Sequence, residues 1–91
     1  MKSDNLLNKK VSVQFTIAKQ TKDEETLQTL ANSANDTVRY AVAMNPATSK
    51  KTLEKLADDD DVGVRFMAQI TPEERKFFHE NYYIPESNFN F

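Results

Sequence analysis

Two arginines, four consecutive aspartates and one histidine are the groups in this 91-residue chain with the means to do chemistry. Arg39 and Arg65 stand 26 residues apart in matching Val-Arg settings. Such a guanidinium either forks onto a carboxylate or carbonyl to tie two parts of the fold together, or joins its twin as a pair of ligand-binding cations; the structural role is favoured. Asp58-Asp59-Asp60-Asp61 invites a calcium site or a mimic of a phosphate backbone. The run lacks the alternating acids and glycine of an EF-hand loop, so it reads first as a solvated turn containing one helix cap, with mimicry as the alternative. His79 is the only histidine and has no cysteine or serine motif beside it, which suits a surface position on an amphipathic helix better than a base. Glu73 and Glu74 are accounted for by helix capping and the helix dipole. With Gly63 the only glycine, no phosphate-cradling loop can form. No catalytic set, metal site or cofactor site emerges, and an enzyme is not expected. The remaining candidates are apolar. Tyr40 and Met44 lie four apart, and Phe66 and Ile70 are their equivalents; they either pack between layers or form a concave surface that grips a partner.

The elements that carry these groups repeat. Thr26, Leu27, Leu30, Ala31, Val38, Arg39 and Pro46 recur without a gap as Thr52, Leu53, Leu56, Ala57, Val64, Arg65 and Pro72, and Tyr40 is answered by Phe66. A fixed period of this size marks an architecture whose units cannot bury their apolar faces alone and must stack. Shifted by 25, Val13, Phe15, Ile17 and Ala18 lie over Val38, Tyr40, Val42 and Ala43. That match favours a helix for Val11 to Gln20, although Val11-Ser-Val-Gln-Phe-Thr-Ile alternates as an edge strand would.

Local signals place the boundaries. Residues 1–10 read as a flexible, lysine-rich arm. Residues 11–84 form one repeat domain, with copies at about 11–20, 21–46 and 47–71 and a final helix over 72–83; residues 85–91 are a tail. Thr21 with Glu24 fits a capping box, after which Leu27, Leu30, Ala31 and Ala34 share a face. Asn35 or Asp36, Thr48 or Ser49, and Asp61 are the next caps. Asn45-Pro46 stops the helix that begins near Val38. Thr71-Pro72-Glu73-Glu74 combines an N-cap, a proline at the first helical position and an acid at the third. Phe77, Phe78 and Tyr82 then supply an aromatic side suited to closing the open end of a stack, with Phe89 and Phe91 of the tail, a second copy of the chain, or the partner as its cover.

The spacing of Leu53, Leu56, Ala57, Val64 and Arg65, and of Val38, Arg39, Ala41, Val42, Ala43, Asn45 and Pro46 in the preceding copy, resembles the leucine-rich repeat variant family, akin to HEAT and armadillo repeats. The resemblance implies an all-α, short right-handed α-solenoid of about two and a half helix-pair repeats with a period of 26. It bears little on activity, because solenoids host many binding roles. Some members are described with a cysteine cluster holding an iron–sulfur centre, which a chain without cysteine cannot reproduce.

Composition narrows the function. The net charge of −2 argues against a general nucleic-acid or membrane binder. Its distribution is uneven: residues 23–61 carry nine acids against four bases. No apolar run approaches a signal peptide's core or a membrane span, and a cytoplasmic location is expected. The chain reads as a non-enzymatic module that binds another protein through Tyr40, Met44, Phe66 and Ile70. The alternative is a small acidic inhibitor or nucleic-acid mimic acting through Asp58 to Asp61.

Overall fold

Val11 to Ile17 is helical. The computed structural model describes residues 5–81, and its first full element is α1 (Val11–Gln20). Gln14, Phe15 and Ala18 are buried and Val11 packs beside them, so positions 11, 14, 15 and 18 form one stripe at helical spacing. The stripe was hard to see because one of its members is a glutamine. Gln14 donates from Nε2 to the Lys9 carbonyl at 2.8 Å and accepts from the Ser33 hydroxyl at 2.8 Å, which satisfies its buried amide. Residues 5–10, expected as a frayed arm, thereby connect to the core, against which Leu6 also packs.

Five helices follow: α2 (Glu24–Leu30), α3 (Asp36–Met44), α4 (Lys50–Leu56), α5 (Val62–Gln69) and α6 (Pro72–Asn81). No strand occurs among the described residues. Two of the helices have only seven residues, too short to persist alone, so burial of Leu27, Leu30, Leu53 and Leu56 must hold them. Asn35, Ser49 and Asp61 cap α3, α4 and α5 through their side-chain oxygens. Thr71 and Glu74 form the expected reciprocal box at the start of α6.

The box expected at Thr21 is absent. Asp23 caps α2 by accepting from the Thr26 amide at 2.9 Å, and Thr21 instead accepts from the Asp23 amide. Glu24 reaches away from its own helix end to Ser49 and Thr52 on the next pair. Ala34 lies beyond the end of α2 and is exposed.

Helix α3 is the centre of the molecule. It packs against α1 on one side and α5 on the other, and also touches α2, α4 and α6. Val38 and Ala41 to Met44 are accordingly all buried. Small residues at the crossings (Ala18, Ala41, Ala43 and Ala68) let the three helices approach closely.

Asn45 ties the ends together. Its Nδ2 donates to the carbonyls of Ala18 and Thr21, each at 2.8 Å, while its Oδ1 accepts from the Ala47 amide. The residue that precedes the helix-stopping proline therefore also closes the C-terminal end of the neighbouring helix.

Helix α6 departs from the expected closure of the open end. Ile70 is extended, the Thr71 box starts a new helix at once, and α6 packs chiefly on α3. Its first turns line a groove with α4, and His79 near its end donates from Nε2 to the Lys19 carbonyl of α1 at 2.7 Å. Phe78 packs against the core, whereas Phe77 is 60% exposed. The tail and Tyr82 lie outside the described residues. The described fold measures 31 × 29 × 24 Å, about as wide as it is long.

Candidate binding surface

The two arginines begin alike and end differently. Arg39 donates from Nη1 to the Ser33 carbonyl at 2.8 Å, and Arg65 from Nη1 to the Asp59 carbonyl at 2.7 Å, the same bond 26 residues on. Arg39 then forks onto the Asp59 carboxylate with Nε and Nη2 at 2.8 and 3.1 Å, and Nη2 also reaches Asp60. This bond is the main cause of the rise in the Arg39 pKa. Burial acts to raise the Asp59 carboxyl, but the bonds from Arg39 and the Asp61 amide outweigh it and leave the group below its ordinary value. Arg65 has no carboxylate partner among the described residues. Arg39 therefore ties the Ser33 carbonyl to the Asp59 carboxylate, and Arg65 makes no second tie of this kind among the described residues.

The acidic turn is largely occupied with the fold. Asp59 takes Arg39, and Asp61 accepts from the Val64 amide at 3.0 Å as the α5 cap. Asp60 is 94% exposed at its side chain and lies 3.3 Å from Arg39. No group of acids or histidine that could hold a metal ion occurs among the described residues.

The four apolar candidates do not share one surface. Met44 is wholly buried, because neighbouring helices enclose the second half of α3, Ala41 to Met44. Tyr40 and Ile70 are half-buried against the core. The Tyr40 ring rests over Gly63 of α5, where a Cβ would come within 3.7 Å of it. Phe66 is 55% exposed, and Val62 one turn before it is 70% exposed. Both lie on α5, whose other side packs on α3. Arg65, Phe66 and Val62 thus form an apolar patch with a guanidinium beside it.

Three residues outside those expectations matter. Glu24 accepts from the Ser49 amide and from the hydroxyls of Ser49 and Thr52, bridging α2 to α4. Burial acts to raise its carboxyl, but these bonds outweigh it and hold the group below its ordinary value. Arg75 is buried, which lowers its pKa, and its Nε has no hydrogen-bond partner among the described residues. Asn45 is the third. A register comparison could have flagged the first two, since Lys50 stands where Glu24 recurs and Arg75 where Ser49 recurs.

Comparison of the chain with protein-family models, curated proteins and solved structures finds no match. No helix among the described residues is long and apolar enough to cross a membrane.

Proposed function

We propose that the chain is a non-enzymatic protein-interaction module, a short right-handed α-solenoid of the leucine-rich repeat variant or HEAT-like kind, with its partner seated on the outer side of α5. One observation supports this reading: the contacts that α3 makes with the turn and helix that follow it are offered again by α5 and are not taken up among the described residues. Arg39 has Asp59 and Tyr40 has Gly63, whereas 26 residues on Arg65 lacks a carboxylate among the described residues and Phe66 is more than half exposed. Arginine and aromatic residues are enriched at protein interfaces, and a desolvated pair of this kind can dominate binding. The partner's contact segment would resemble the turn and helix that α3 meets, an acidic residue leading into an amphipathic helix. A cytoplasmic setting suits a chain of this composition.

The test is affinity capture from native lysate with the unaltered chain, Arg65→Gln and Phe66→Ser, alongside light scattering of each. Both side chains project from a formed helix, so the variants should fold. A specific partner, or self-association, should weaken at least about tenfold in either variant. Binding that is indifferent to both changes but collapses with rising salt would favour the acidic-mimic alternative.

A further inference from the structure

The groove between α2 and α4 and the groove between α4 and α6 occupy successive positions in the 26-residue register. They are bridged in opposite ways. In the first, the Glu24 carboxylate of α2 takes three hydrogen bonds from Ser49 and Thr52. In the second, position 50 is a lysine, position 75 an arginine and position 78 a phenylalanine. The bridging carboxylate is gone, and two cations stand where one acid and one hydroxyl stood.

The second groove holds a cavity of about 400 Å³. Leu53, Ala57, Ala68 and Pro72 make its walls apolar. Arg75 is only 8% exposed and lines this cavity. Its Nη1 is committed to the Ile70 carbonyl at 3.0 Å, while Nε has no partner among the described residues. A buried guanidinium donor left unmet is costly, and its natural complement is a carboxylate. Glu54 also lines the groove but is exposed and makes no ion pair with Arg75.

We propose that this groove binds a carboxylate carried on a short apolar stem, with Arg75 donating to the carboxylate and Lys50 attracting it at the mouth. Leu53, Ala57 and Ala68 take up the stem. The chemistry is that of a short aliphatic acid, or equally of a glutamate side chain in a peptide. The site is independent of the α5 surface, so either can fail without the other.

Two probes separate the sources: sodium butyrate, and an acetylated, amidated Leu-Glu-Leu peptide. Each is titrated into the full chain while the Arg75 Nε–H and the Leu53 and Ala57 methyl groups are followed by NMR. Saturable shifts at all three sites are expected with one probe or both, and the probe that produces them identifies the source. Sodium chloride at equal concentration should leave them unmoved. Arg75→Met should weaken binding at least about tenfold, the loss of a charged hydrogen bond. If that variant does not fold, Lys50→Gln, at an exposed position, must still weaken binding several-fold by removing the attracting charge. Absence of shifts with either probe, shifts equal to those from chloride, or binding untouched by Lys50→Gln would overturn the proposal.

Discussion

At the scale of single residues, the side chains that matter most are polar ones that finish a neighbour's hydrogen bonding. Asn45 spends both ends of its amide on other segments, satisfying the Ala18 and Thr21 carbonyls and the Ala47 amide. Aspartate at this position would keep the acceptor for Ala47 but lose both donated bonds. Alanine would lose everything. Because Asn45 is 3% exposed, water cannot simply replace it, and Asn45→Ala should cost about 2–3 kcal/mol. Urea unfolding followed by circular dichroism would measure this. A midpoint shared with the unaltered chain would mean that the Asn45 bonds do not contribute to stability.

At the scale of elements, the leucine pairs bear the load. Leu30 and Leu56 are buried at the ends of helices too short to stand alone, so Leu30→Ala or Leu56→Ala should each destabilise by about 2–4 kcal/mol. In a domain of this size that is a large fraction of the total, and thermal melts would show a marked drop or no transition at all. An unchanged melting temperature in both variants would contradict the core described here. These positions were legible because apolar residues recurring every 26 places have no other use. Local polar chemistry was less legible. Thr21 and Glu24 have the residue types of a capping box, yet Asp23 lies closer to the helix and Glu24 has hydroxyls waiting on α4. Likewise the four-residue spacing of Tyr40 and Met44 says that they share a helix face. It cannot say that the second half of α3 is enclosed while Tyr40 stays half-buried, which depends on the order of packing. The exposure of Phe66 follows from α5 lying at the edge, a position no local pattern encodes.

At the scale of the whole molecule, the layers are joined by two depressed carboxylates, Glu24 and Asp59. A carboxyl whose folded pKa lies below its unfolded one contributes stability above the unfolded value and loses it as pH falls through the folded value. The ordinary values are 4.5 for glutamate and 3.8 for aspartate, so stability should hold from neutrality down to about pH 4.5 and fall beneath it. Melting temperatures taken from pH 7 to pH 3 should drop more for the unaltered chain than for the Glu24→Gln, Asp59→Asn double variant. Parallel curves would show that these links do not respond to acid.

The return of α6 to α1 also limits how this architecture can grow. Most repeat arrays lengthen by duplication, since each copy meets only its neighbours. Here His79 spans from the last helix to the Lys19 carbonyl in the first, 60 residues away in sequence. One more 26-residue copy inserted at Pro46 would move α6 outward by roughly one helix spacing, about 8–10 Å, and out of reach of Lys19. The bond from His79 to Lys19 therefore holds α6 at a set distance from α1.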